Sequence, residues 1–480
     1  MVVYDALVGQ GILNMIPQEA EKIHVGKRAN HHTMPQEEIN RVLAEKAMEG
    51  LRVVRLKGGD PFLFGRGGEE LEYLLQRRIP CEVVPGVTSA IAVPAYNGIP
   101  VTHRDYCSSV HIITGHKKQG ENYDIDFEAL VKTRGTLVFL MGVSALGEIC
   151  KGLMEKGMDG QMPAAILQKG TTASQKRIVA TVSTLEEAVK REGIETPAII
   201  VVGKVCALAD SFAWYEKLPL AGKKILVTRP RQQISAMAEK LRRLGAEVLE
   251  LPAIRTESIT PNPGLNEAFG RLSSYDWLVF TSPTGVQVFW TELRNAGLDV
   301  RSLAGAKLAV IGKGTKKALE ERGLLADLMP ETYSGEALGE ALSREVKPGE
   351  RILIPRARIG NQKLVDCLNA TGKVTVDDVA TYDTFYETPS LIDERAEFEQ
   401  GTVDFAVFTS ASTVRGFVQA VPGINFTKVR AVCIGEQTQR EAAAHGMKTY
   451  VSDQATMDSI VRKLCEICSR AEENRKKEKS

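Results

Sequence analysis

The sequence lacks any run of about 18 consecutive apolar residues, so no membrane-spanning helix is expected. It also lacks an excess charge of either sign: 61 Lys and Arg face 60 Asp and Glu, a formal balance of +1. That balance excludes a globally basic nucleic-acid binder and leaves any anionic ligand to local clusters. The start, MVVYDALVGQG, has neither a basic n-region nor a small-residue cleavage site, so it does not read as a secretion signal. Cysteine is sparse, eight in 480 residues; Cys81, Cys150 and Cys433 stand in apolar segments and read as buried thiols of a reducing cytoplasm. Cys465 and Cys468 form a CxxC inside a helical pattern without a second ligand pair, and the adjacent His31 and His32 diverge in direction. No metal site is expected.

What is present is ordinary globular material, 43% hydrophobic and 25% charged, long enough for roughly two or three domains. The most informative stretch is VVRLKGGDPFLFGRGGEELEYLL, Val53 to Leu75. It reads as a strand, a loop with Gly58, Gly59, Gly65, Gly67 and Gly68, and a helix carrying Leu71, Leu74 and Leu75. Glycines at this density let backbone bend tightly or approach a ligand, and the helix start offers free N–H groups. The loop is neither a Walker A motif nor a GxGxxG, and Asp60 disfavours phosphate while suiting a cationic or hydroxyl group. On residues alone, Asp5 is as well read as a turn cap, Lys27 as a solvated lysine, His103 as a hydrogen-bonded loop residue and Met141 as core filling.

KGGDPFLFGRGGEE, followed by VVPGVTSAIAVPAYNGIPVTHRDY and joined by VVYDALV, HVGKRANHHTMPQEEIN, TGH, VFLMGV and PAIIVVGKV, resembles the uroporphyrinogen-III C-methyltransferase family. The resemblance runs from residue 1 to about Leu218. It implies a fold that binds S-adenosylmethionine between two α/β lobes, with Asp5 as catalytic base and Lys27 as proton donor. It places Gly58, Gly59, Asp60, Leu63, Thr88, Ser89, Met141 and Gly170 around the cofactor, Ser89 through its backbone. Each pyrrole ring of such a substrate carries two carboxylates, so Arg28, Arg66 and Arg104 are candidate anion partners, with His103 a further substrate contact. The family commonly dimerises, which makes a homodimer through this domain an expectation. The family pattern begins upstream with a strand and a GxGPGD loop that this sequence lacks. An N-terminal truncation is expected, leaving ladder groups unpaired and apolar surface open.

From Lys224 the chain repeats itself. KKILVTRPR recurs as ERILIPRAR, DWLVFTSPTGVQVFW as DFAVFTSASTVRGFV, and KLAVIGKGTKKALEERG as RAVCIGEQTQREAAAHG, at a spacing of about 125 residues. Strands alternating with helices predict two similar α/β lobes. Ser282, Thr315, Ser410 and Thr438 follow the carboxyl ends of strands, where open α/β sheets bind ligands, and are read as substrate contacts facing one cleft; each alone is equally a helix cap. Gly312 to Ala318 fails the Walker spacing, although its amides and Lys313 could attract carboxylates. The FTS, IG and Tyr elements resemble the uroporphyrinogen-III synthase family, which implies that Tyr382, in VATYDTF, assists departure of the substrate hydroxyl.

The expected architecture is α/β throughout: a two-lobed tetrapyrrole methylase fold followed by a two-lobed synthase with repeated parallel α/β lobes. The expected divisions are a methyltransferase over 1–218, a linker over 219–223, a synthase over 224–470 and a charged tail over 471–480. Within the synthase, lobe one is about 224–254 plus 386–470 and lobe two about 255–385. The two resemblances imply a bifunctional cytoplasmic enzyme, with no nucleic-acid or membrane partner. It would cyclise hydroxymethylbilane to uroporphyrinogen III and methylate that product at C2 and C7 to precorrin-2. Two rivals stay open: a chain in which only cyclisation proceeds, and a non-enzymatic two-lobed tetrapyrrole sensor.

Overall fold

The computed structural model describes residues 1–17, 19–26, 34–115, 125–228, 231–251, 253–386 and 394–479. The chain divides into two compact units, Met1–Leu226 with Ala238–Glu250 and Cys468–Ser480, and Val227–Met237 with Leu251–Ile467.

The first unit opens with a parallel sheet of β1 (Val2–Tyr4), β2 (Lys22–His24) and β3 (Val54–Leu56), ordered β2-β1-β3. The central strand is wholly buried because it is apolar on both faces. A helix, Gln36–Met48, covers one face through Ile39 and Leu43, which pack with Val3 and Val25. Glu37 and Glu38 in its first turn and Lys46 in its last suit the helix dipole. The outer edge of β3 has no strand partner among the described residues, and Val54, Val84 and Val87 are exposed. Residues 81–87 form no strand or helix, and Cys81 is exposed, a correction to the buried thiol read from its apolar neighbours.

A second sheet holds β4 (Val110–Thr114), β5 (Thr136–Leu140), β6 (Pro163–Gln168), β7 (Lys176–Thr181) and β8 (Ala198–Val202), ordered β4-β5-β8-β6-β7. Only β4 and β5 run parallel; the other pairs are antiparallel. Strand alternation sorts its core into two faces. Leu137, Phe139, Ile166 and Ile200 meet the helices Leu146–Glu155 and Leu185–Glu192, while Val138, Leu140, Leu167 and Val201 meet the helix Ser89–Tyr96. Each such buried side chain contributes about 1.5–3 kcal/mol.

The strands from Lys224 onward are β9 (Lys224–Thr228), β10 (Glu247–Leu251), β11 (Ile254–Ser258), β12 (Trp277–Phe280), β13 (Lys307–Val310), β14 (Arg351–Ala357), β15 (Thr375–Tyr386), β16 (Phe405–Phe408), β17 (Arg430–Cys433) and β18 (Lys448–Val451). They form two five-stranded sheets, β10-β9-β16-β17-β18 and β11-β15-β14-β12-β13. The repeated segments DWLVFTS and DFAVFTS give the equivalent buried strands β12 and β16, each leading into a serine-capped helix. In the second sheet, β13, β12, β14 and β15 are parallel and β11 runs antiparallel to β15. The charged end of the chain is helical: Met457–Lys479 is one helix that includes the expected tail. No helix among the described residues is long and apolar enough to cross a membrane.

Candidate functional site

In the first unit, β3 delivers the glycine-rich loop against two other segments. A Cβ at Gly58 would stand 2.5 Å from the Leu7 Cβ, and one at Gly86 would stand 2.2 Å from the Gly59 carbonyl oxygen. Those contacts press the turn after β1 and the Pro85-Gly86 loop onto Gly58 and Gly59, and only glycine permits the approach. Asp60 fastens the arrangement. Its Oδ1 accepts the Phe62 and Leu63 N–H groups at 2.9 and 3.0 Å, and its Oδ2 accepts the Gly86 N–H at 3.0 Å. These backbone donors, Gly86 first, hold its carboxyl below the usual carboxylate range. Asp60 is therefore a clasp between two loops. Two residues beyond Gly86, Thr88 caps the helix Ser89–Tyr96 by accepting the Ala90 N–H at 3.2 Å, and Ser89 is its first residue.

That helix leads to the end of the second sheet. A Cβ at Gly170, just past β6, would stand 2.4 Å from Val93 Cγ1. Met141, just past β5, is 51% exposed and has φ 56°; Lys169 and Thr171 flank Gly170 with φ 45° and 70°. Left-handed backbone at non-glycine residues costs about 1–3 kcal/mol each and concentrates at ligand clamps. The contact of Asp60 with Gly86, the chain from Gly86 through Thr88 to Val93, and the contact of Val93 with Gly170 thus join most of the expected cofactor residues.

Asp5 follows β1. Its Oδ1 accepts the Leu7 N–H at 2.9 Å, the turn cap the residue type predicts, and its Oδ2 stands 3.7 Å from the Arg55 guanidinium. Arg55 also bonds Glu70 at 3.3 Å, and Glu70 takes Lys57 Nζ at 3.0 Å and Gln36 Nε2 at 3.1 Å. Glu70 is only 5% exposed. These three charged residues were not singled out from the sequence. The available signal was two cations two residues apart, one on a strand and one just past it, ahead of a helix with an acid on its buried face.

The expected anion partners are dispersed. Arg66 caps the helix Gly67–Leu75 with φ 60° and pairs with Glu69 at 2.6 Å. His103 accepts the Asp105 N–H at 3.3 Å and packs on Tyr106 and Phe212, which agrees with the loop-residue reading; Arg104 is exposed. Lys27, Arg28, His31 and His32 lie outside the described residues. Among those described, no group of His, Cys, Asp and Glu could hold a metal ion.

In the second unit, Tyr382 and Ser282 come together. The Tyr382 hydroxyl, on β15, lies 2.9 Å from Ser282 Oγ, which also accepts the Gly285 N–H at 2.9 Å as helix cap. Burial pushes the Tyr382 phenol up, opposed by the Ser282 hydrogen bond. Ser410 caps its own helix through Thr413 in a reciprocal box. Thr315 and Thr438 are 2% and 4% exposed on the inner faces of their helices, whose caps are Gly312 and Gly435. The four therefore do not all face a cleft; the helix period turns both threonines inward.

Residues 1–186 match the family described as Tetrapyrrole (Corrin/Porphyrin) Methylases, and residues 235–462 match Uroporphyrinogen-III synthase HemD. A Porphyrin biosynthesis protein HemD from Ruminiclostridium josui is 46% identical over 97% of this chain and 92% of that protein. A Uroporphyrinogen-III C-methyltransferase from Bacillus subtilis (strain 168) is 39% identical over 68% of this chain and 66% of its own length. A Siroheme synthase from Escherichia coli O1:K1 / APEC is 49% identical over 45% of this chain and 46% of that protein. With one relative matched almost end to end and a methylase region followed by a synthase region in this chain, the chain belongs to the HemD-type porphyrin biosynthesis enzymes, a tetrapyrrole methylase followed by a uroporphyrinogen-III synthase.

Proposed function

We propose that residues 224–470 cyclise hydroxymethylbilane to uroporphyrinogen III and that residues 1–218 methylate this product at C2 and C7 to precorrin-2. The observation that carries the reading is the joining, in one chain, of two family regions whose reactions meet at one compound. The strained, half-exposed Met141, beside a turn whose Lys169 and Thr171 are also left-handed, suits a nucleoside-bearing ligand held against backbone. S-adenosylmethionine, when bound, supplies an electrophilic methyl group. Gly58, Gly59, Asp60, Leu63, Thr88, Ser89, Met141 and Gly170 would hold it. C2 and C7 carry no hydrogen, so the proton lost after methylation leaves from a ring N–H or an adjacent bridging carbon; Asp5 would accept it and Lys27 would donate one, while Arg28, Arg66, His103 and Arg104 would bind substrate carboxylates. In the synthase, the buried and protonated Tyr382 donates to the departing hydroxyl, and Ser282 fixes its direction. Ser410 builds a helix start beside the substrate, while Thr315 and Thr438 pack the inner faces of their helices. A cytoplasmic homodimer working on small tetrapyrroles without nucleic acid completes the reading.

Product analysis from hydroxymethylbilane, with and without S-adenosylmethionine, tests both halves. Tyr382→Phe should slow cyclisation at least tenfold and leave methylation of supplied uroporphyrinogen III intact; Asp5→Asn should do the reverse. Unchanged cyclisation by the first variant, or full methylation by the second, removes the corresponding role. The open edge of β3 favours a second reading in which only cyclisation proceeds. Wild-type protein that cyclises but never methylates decides for it.

A further inference from the structure

The carboxylate of Asp5 is divided between two tasks. Oδ1 is consumed by the Leu7 N–H, while Oδ2 faces Arg55 across 3.7 Å, beyond hydrogen-bond length. A guanidinium beside a carboxylate ordinarily closes to a two-point contact. Here it is held back. Its Nε is tied to Glu70 at 3.3 Å, and the nitrogen facing Asp5 donates to the Leu56 carbonyl at 2.9 Å. Glu70 is itself locked by Lys57 and Gln36 and has 6% of its side chain exposed, so it has little room to follow Arg55. The result is an oxygen oriented by a nearby cation yet still holding lone pairs for an incoming proton.

We infer that Glu70 is a positioning residue for methyl transfer: by restraining Arg55 it keeps Asp5 Oδ2 oriented but unoccupied. This rests on the assignment of Asp5 as base given above. A purely structural role for the Glu70 cluster would predict something else. Loss of Glu70 would then loosen the whole lobe, weakening cofactor binding and thermal stability together with turnover.

The test is the full chain carrying Glu70→Gln, which keeps the shape of the side chain while freeing Arg55 to close on Asp5. Methyl-transfer kcat should fall at least tenfold, with KM for uroporphyrinogen III and the calorimetric Kd for S-adenosylhomocysteine within twofold of wild type. The double variant Glu70→Gln/Arg55→Gln removes the cation that would occupy Asp5 and should regain part of the lost kcat. If Glu70→Gln does not fold, Arg55→Lys, which keeps the charge but is too short to orient or to occupy Asp5 Oδ2, should lower kcat by less than tenfold with unchanged S-adenosylhomocysteine binding. Unchanged kcat overturns the inference, as does a kcat loss matched by an equal loss of S-adenosylhomocysteine affinity. An Asp5→Asn chain that methylates normally removes the base assignment and the inference with it. Loss in Asp5→Asn with no change in Glu70→Gln overturns the inference alone.

Discussion

Asp60 shows how much a single carboxylate can differ from its appearance in sequence. Between a glycine turn and a proline it reads as an acceptor awaiting a ligand, yet three backbone N–H groups from two loops already converge on it. Asp60→Ala should release the Pro85-Gly86 loop and weaken S-adenosylhomocysteine binding at least tenfold by calorimetry, with cyclisation unchanged. The pH dependence follows from the sign of the shift. The carboxyl is held below its ordinary value, so its contribution is complete above the unfolded value of about 4 and is lost only as pH falls through the lowered one. Binding by wild type should thus show no loss attributable to Asp60 between pH 8 and about 5. Tyr382 has the opposite sign: burial raises its phenol, so the neutral form is favoured and its contribution disappears only as pH rises beyond about 10. An alkaline limb in cyclisation at pH 8 that vanishes in Tyr382→Phe would contradict this.

At the scale of elements, the Gly170 turn and the helix Ser89–Tyr96 form a matched pair. An added methyl at Gly170 would meet both Val93 methyls, at 2.4 and 2.8 Å. Gly170→Ala should cost about 1–3 kcal/mol by overpacking. Val93→Ala in the same chain should recover much of it, a coupling that denaturant titration of the double-mutant cycle measures. Gly86→Ala should find no such relief, because the atom it meets, at 2.2 Å, is the Gly59 backbone oxygen. Additive losses for Gly170 and Val93 would contradict the pairing. The same elements mark what was legible beforehand. Apolar runs placed β1, β3, β5 and β8, and the repeated FTS segments located the serine caps, because burial and capping are local in sequence. The Asp60 clasp and the Arg55–Glu70 pair were not legible, since their partners lie 26 and 15 residues away and nothing local names them. Cys81 was misread for a related reason: an apolar segment is buried only if a neighbouring strand covers it.

The whole molecule holds two compact units with separate cores, one built around Phe139 and Val138, the other around Phe280 and Val279. Each unit carries large buried clusters of its own, enough to melt as a cooperative body. A ligand that binds one native unit stabilises that unit by mass action, by about 2.7 kcal/mol at a hundred times its Kd. S-adenosylhomocysteine at that excess should therefore raise one of two calorimetric transitions and leave the other in place. Gly170→Ala identifies the transition independently, because it should lower the same one. A single transition that moves as a whole with ligand would show that the units unfold together. A ligand effect on the transition that Gly170→Ala does not touch would place the nucleoside site away from Met141 and Gly170, against the seat proposed for it there.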